Sequence, residues 1–276
     1  MVDDESRSLR KPVRVAVVGL GAVGLRVVEA LSAGVPGCEL AAIVVRDRTK
    51  AAKQLSLNRP VPLLSLEDIE PHADIVVECA PAHMLPDIVA PFLRAGKTAI
   101  VLSASAILSN YYLVDIARAN GGQIVVPTGA LLGLDAVTAA AEGTIHSVRM
   151  TTRKPVAGLM GAPYLVDRNI SFGEIVEPLC VFRGTPREAA VGFPANLNVA
   201  AALSLAGIGP DRTTLEIWAD PSLDRNIHTI EVESDSARFS MTIENIPTDN
   251  PKTSRIAALS VVSYLRKIGA PLRIGS

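Results

Sequence analysis

Cysteine is scarce in this 276-residue chain, and its placement excludes two function classes. Cys38, Cys79 and Cys180 are far apart, odd in number and set among apolar residues. That is no disulfide framework, and the thiols read as buried groups of a reducing compartment, which points to the cytoplasm. No Cys/His spacing matches zinc and no acidic cluster resembles a two-metal site, so no metal is expected. Net charge is −1, giving no pull toward nucleic acid or an anionic membrane. No apolar run reaches about 18 residues without charge or proline, so no membrane span is expected. The nucleophile-elbow pattern GxSxG is missing, as are internal repeats and low-complexity tracts. The opening MVDDESRSLRKP is charged and has no apolar stretch, so a frayed tail is expected there rather than a signal peptide.

With 49% hydrophobic and 20% charged residues, the chain can build a sizeable core, and its length suits two modest domains. The most informative stretch is VRVAVVGLGAVGLRVVEAL, from Val13 to Leu31. Val15 to Val18 form the continuous apolar run of a strand buried on both faces. GLGAVG follows at once, and Leu25, Val28 and Leu31 then recur at helical spacing. Strand, GxGxxG and helix in this order are the dinucleotide-binding fingerprint. Gly19 permits the tight turn, Gly21 admits a pyrophosphate, and Gly24 lets helix and strand approach. Ala22 and Val23 open the helix, whose N-terminus favours phosphate. A flavin is a weaker candidate than a nicotinamide nucleotide.

Further strands are read at Glu39–Val45, Asp74–Cys79, Thr98–Leu102 and Gln123–Val126, with helices at 48–55, 85–95 and 107–120, and a helical turn capped by Ser65. At the end of the second strand Arg46 precedes Asp47. An arginine there can pair with a 2′-phosphate, so both NAD and NADP are expected. Ala80 lies at the C-terminal end of its strand, where open α/β sheets bind ligands. Beyond the helix at 134–142 the texture changes. Alternating segments at 145–152, 177–183, 214–219, 226–232 and 237–243 suggest a mixed or antiparallel sheet, with helices at 186–192 and 196–206. Thr253 to Ile268 reads as an amphipathic helix capped by Thr253 or Ser254 that returns to cover the first sheet. The fold class is therefore α/β: a Rossmann-type dinucleotide-binding domain with an inserted α+β, mixed-sheet domain for substrate and dimerisation. Residues 1–131 with 251–276 form the first and 132–250 the second, with the active cleft between them. A homodimer is expected through an open apolar face of the inserted sheet.

There are four histidines. His72 reads as solvated and His146 as structural. His83 follows the 74–79 strand and rivals His228, which enters a strand of the insertion, as the proton-transfer group. Arg153, Lys154, Asn226 and Asn198 are candidate donors for substrate carboxylates. Glu78, inside an apolar run, must be paired, and is either a ribose ligand or structural.

GLGAVG (19–24), VRD (45–47), PTGALLGLDAV (127–137), TTRKP (151–155), LMGAP (159–163), the long segment 182–207 and DPSLDRNIH (220–228) together resemble the L-aspartate dehydrogenase family over nearly the whole chain. Dihydrodipicolinate reductases and homoserine dehydrogenases are similar in a broader way. The resemblance implies that His228 is the catalytic acid/base and that Asn198 and Ala130 contact the cofactor. It implies a substrate pair of L-aspartate and oxaloacetate with ammonia, connected through iminosuccinate, which could feed NAD synthesis. Thr128 stands where the family commonly has serine, Leu132 where it has glycine, and Ser103-Ala104-Ser105 lacks an expected glycine. Leu132 would crowd the nicotinamide side of the substrate pocket. The alternatives are a dehydrogenase of the same build acting on another small amino or oxo acid, and a non-catalytic nucleotide sensor.

Overall fold

The computed structural model describes residues 11–55, 57–173, 175–193, 197–248 and 254–275. The tail before residue 11, the helix start at Asn196, the Thr253 cap and the boundary at residue 251 lie outside them.

Six strands build the first sheet: β1 (Val13–Val18), β2 (Cys38–Val44), β3 (Leu63–Leu64), β4 (Ile75–Glu78), β5 (Thr98–Val101) and β6 (Gln123–Val125). They are all parallel, in the order β3-β2-β1-β4-β5-β6. This is the doubly wound order, and its switch point lies between β1 and β4. Helices α1 (Ala22–Ala33), α2 (Arg48–Gln54), α3 (Leu85–Arg94), α4 (Ala104–Ser109) and α5 (Tyr112–Asn120) connect them. Alternate residues of β1 serve opposite cores. Val15 and Val17 pack with α1 and the C-terminal helix, while Ala16 and Val18 pack with α3 and α5. Two buried faces leave no position for a polar residue, which explains the unbroken apolar run.

The second sheet follows α6 (Leu134–Ala141). It contains β7 (Ile145–Lys154), β8 (Leu179–Gly184), β9 (Thr214–Ala219), β10 (Asn226–Ser234) and β11 (Arg238–Asn245) in the order β11-β10-β7-β9-β8. Only β7 and β9 pair in parallel, so the sheet is mixed. Short helices α7 (Val156–Leu159), α8 (Pro163–Asp167), α9 (Pro186–Gly192) and α10 (Asn198–Ala206) lie between its strands in sequence. The third core joins its inner face to α6, α9 and α10. The last helix, α11 (Arg255–Gly269), buries Ala258, Val261 and Leu265 against the first sheet.

Three local expectations change. The helix read at 107–120 is two helices that start earlier, at Ala104, and break at Asn110. The Asn110 amide donates to the Ala106 carbonyl (2.9 Å), competing with the backbone ladder. Ser65 bonds the Asp68 carboxylate (2.7 Å), within a turn rather than at a helix cap. The strand expected from Glu177 begins at Leu179, after Pro178, whose ring nitrogen has no hydrogen to donate. The open face of the second sheet is also not apolar. Arg149 stands opposite Glu231 and Arg238 opposite Glu233, all exposed, so burial of an oily face is no argument for a dimer.

Candidate active site

The C-terminal edge of the first sheet and one end of the second enclose a cleft of about 740 Å³. Its floor is the β1–α1 turn. Gly19 has φ +97°, and a Cβ on it would sit 2.5 Å from the Cys79 carbonyl oxygen. A Cβ on Gly24 would overlap the Gly19 carbonyl oxygen, so this glycine lets α1 close on the turn. Gly21 is different, because a Cβ there would meet no protein atom within 4 Å. The fold leaves that space open beside the N-terminus of α1, which has neither a side-chain cap nor an acidic residue in its first turn. Backbone N–H groups and the helix dipole therefore face a cradle suited to a pyrophosphate. Gly19, Gly21, Ala22 and Val23 line the cleft, and Gly24 supports them from behind.

Beyond the end of β2, Arg46, Asp47 and Lys50 line one side of the cleft. Asp47 is occupied as the cap of α2, accepting the Lys50 backbone N–H at 2.9 Å. The two cations flank the position where an adenosine ribose would lie in this fold. Lys50 was not anticipated from the sequence. It lies in the first turn of the helix that Asp47 caps.

The opposite half is held by Glu78. This carboxylate, fully buried at the end of β4, accepts the N–H groups of Ala80 (3.1 Å), Leu102 (3.1 Å) and Ser103 (2.9 Å) and the Ser103 hydroxyl (3.0 Å). Burial pushes its pKa up, and those four donors oppose the rise. Glu78 is thus a bracket between the loops after β4 and β5, and Ala80 and Leu102 line the cleft on either side. Next to it, Asn198 Oδ1 accepts both the Ser105 hydroxyl (2.7 Å) and the Ser105 N–H (3.2 Å). Its amide NH₂ therefore remains for the cleft that Asn198 lines. Ala130 lines the cleft too, and its carbonyl accepts the Asn245 amide at 2.9 Å.

The second sheet supplies Lys154, Asn226 and His228. Strand alternation puts Asn226 and His228 on one face of β10 and Thr152 and Lys154 on the matching face of β7. His228 stands directly opposite Thr152, and its Nδ1 lies 2.7 Å from the Thr152 hydroxyl. The imidazole is 3% exposed. Burial, and secondarily the charge of Lys154, lower its pKa from 6.5 to about 3. The ring is therefore neutral near pH 7, and the same burial that keeps it neutral weakens it as a base. Lys154 is buried as well.

Arg153 is not brought to this site. One residue from Lys154, it lies on the other face of the sheet, outside the cleft lining. It pairs there with Asp220 (3.6 Å) and stacks over the Trp218 ring at 5.7 Å. The arginine expected to meet substrate is thus turned away from the cleft. His83 is exposed on a turn and does not line the cleft, nor does Leu132, so neither the rival histidine nor the expected crowding is realised. His72 and His146 are exposed elsewhere. Among the described residues no group of three His, Cys, Asp or Glu side chains could hold a metal, and no helix is long and apolar enough to cross a membrane.

Two family models match successive stretches of the chain. The family described as aspartate dehydrogenase, C-terminal, matches residues 135–268, and that described as homoserine dehydrogenase, NAD binding domain, matches residues 19–127. An L-aspartate dehydrogenase of Bradyrhizobium diazoefficiens is 58% identical over 95% of this chain and 94% of its own length. L-aspartate dehydrogenase 3 of Bordetella bronchiseptica is 57% identical, over 98% of this chain and 100% of its own. Among solved structures, aspartate dehydrogenase from Thermotoga maritima superposes with a TM-score of 0.74 at 24% identity, covering 95% of this chain and 99% of that one.

Proposed function

The chain belongs to the L-aspartate dehydrogenase family, and from that membership we propose that it oxidises L-aspartate through iminosuccinate to oxaloacetate and ammonia, reversibly, with NAD or NADP. The observation that carries this reading is the meeting, in one cleft, of an open phosphate cradle at Gly21 and a buried neutral histidine at His228. The nicotinamide, when bound, accepts the hydride from the substrate Cα. Everything else falls to the chain's own residues. Gly19, Gly21, Ala22 and Val23 hold the pyrophosphate, with Gly24 behind them. Ala80, Ala130 and Asn198 border the nicotinamide half. Lys154 attracts a substrate carboxylate, and Asn226 offers a neutral donor beside it. His228 takes a proton from the substrate ammonium, which frees the nitrogen lone pair needed to form the imine. It passes that proton to solvent, then takes one from the water that adds to the imine and returns it to the departing ammonia.

Arg46 and Lys50 support acceptance of a 2′-phosphate, and hence of NADP beside NAD. Release of iminosuccinate before water adds would feed pyridine nucleotide synthesis. The proposed division is 1–131 with 251–276 for the cofactor and 132–250 for the substrate. The proposed assembly is a homodimer. Three free thiols suit the reducing cytoplasm.

The test separates binding from chemistry. His228→Ala should bind NADPH and NADH as tightly as the wild type while losing turnover by about 10²-fold or more. A variant that keeps its turnover would sink the role of His228.

A further inference from the structure

Behind His228 lies a buried hydroxyl that the steps above do not use. We propose that Thr152 is a positioning residue for His228: its hydroxyl accepts the Nδ1–H and holds the ring as the tautomer whose bare Nε2 serves the cleft. This rests on reading His228 as the acid/base.

The geometry comes from the pairing of β7 with β10. Thr152 and His228 are direct cross-strand partners, each 3% exposed, with Oγ1 and Nδ1 2.7 Å apart. His228, Lys154 and Asn226 line the cleft, but Thr152 does not. The hydroxyl is therefore on the buried side of the ring, and the cleft is left to the other nitrogen. The next pair on the same face of the ladder, Met150 and Ile230, is buried beside them. Threonine is branched at Cβ and stiff at χ1, so its hydroxyl is held in place.

The chemistry selects one tautomer. A neutral imidazole carries one hydrogen, and a base needs the cleft-side nitrogen bare. The hydrogen must then be on Nδ1, where an unpaired N–H in a buried position would be costly. Thr152 removes that cost. When Nε2 takes a proton from the substrate ammonium, Nδ1 keeps its hydrogen and its acceptor, so the ring need not turn between proton uptake and release. A hydroxyl also stabilises the charged ring less than a carboxylate would, so the proton is readily given up. Among the groups facing the ring, Lys154 on β7 is charged and opposes protonation. The residue opposite on β11 is Ile243, which is apolar.

The tautomer can be read directly from ¹⁵N spectra of the full chain labelled at histidine, with four histidines to resolve and His228→Gln to assign the relevant one. In the wild type at neutral pH, Nδ1 should show the shift of a protonated nitrogen and Nε2 that of a bare one. Thr152→Val should lose this preference and lower kcat by about tenfold to a hundredfold, leaving KM for L-aspartate and cofactor affinity in place. Thr152→Ser should restore both readouts. A wild-type His228 protonated on Nε2 would overturn the proposal, as would a folded Thr152→Val enzyme with wild-type kcat and pH profile. Should the valine variant not fold, the wild-type spectrum and the serine variant decide the matter. Turnover surviving in His228→Ala would instead strike the acid/base reading, while the tautomer measurement stood on its own.

Discussion

Acid should destabilise this protein through His228, by an amount that can be worked out. The imidazole has a pKa of about 3 in the folded chain against 6.5 in an exposed one. Between those values the unfolded chain binds a proton that the folded chain does not. Stability therefore rises with pH across this window, and is lost as pH falls from about 6.5 toward about 3. Each pH unit within it is worth about 1.4 kcal/mol. Going from pH 7 to pH 4.5 should thus remove about 2 to 3 kcal/mol through this one group. His228→Gln keeps a polar partner for Thr152 but cannot titrate. Other titrating groups, among them Glu78 and Asp74, are common to both proteins and cancel in the difference between them. Urea unfolding followed by Trp218 fluorescence suits the measurement. Trp218 is the sole tryptophan, and it sits on β9 in the same sheet as His228. The wild type should lose about 2 to 3 kcal/mol more than His228→Gln on moving from pH 7 to 4.5. Equal losses in the two proteins would refute the argument that the ring is buried and neutral.

Two further outcomes follow from the cleft. Gly21→Ala should fold with wild-type stability and bind cofactor at least about tenfold more weakly, whereas Gly24→Ala should lower the thermal midpoint because its Cβ meets the Gly19 carbonyl; calorimetry with cofactor titration checks both. Arg46→Ala should raise KM for NADP about tenfold or more and leave that for NAD nearly unchanged, and equal effects on both would remove the 2′-phosphate contact.

The features legible in the sequence are local ones. Val15 to Gly24 announces strand, turn and helix within ten residues, because buried parallel strands, tight turns and helix starts each restrict the residues beside them. α11 does return to the first sheet, but not on the stripe its spacing suggests: of Ile256, Leu259, Val262, Leu265 and Ile268, Ile256 and Leu259 are exposed, and the buried contacts are made by Ala258, Val261 and Leu265. What was not legible depends on contacts between distant segments. Arg153 and Lys154 are adjacent and chemically alike, and only the phase of β7 puts one in the cleft and the other against Trp218. Thr152 is 76 residues from His228, and no spacing rule joins them before β7 and β10 are paired. Glu78 looked anomalous inside an apolar strand. Its four donors come from the loops after β4 and β5, which meet only when those strands lie side by side. The break at Asn110 was a local signal passed over, since a Ser-Asn pair often interrupts a helix through its side chains.

The central claim is tested most directly by following NADH and NADPH formation at 340 nm with a panel of L-amino acids at alkaline pH, while assaying the ammonia released. Turnover is expected with L-aspartate, with one ammonia for each reduced cofactor, and none with the other acids. Turnover with a different acid, or clear cofactor binding with no turnover at all, would contradict it.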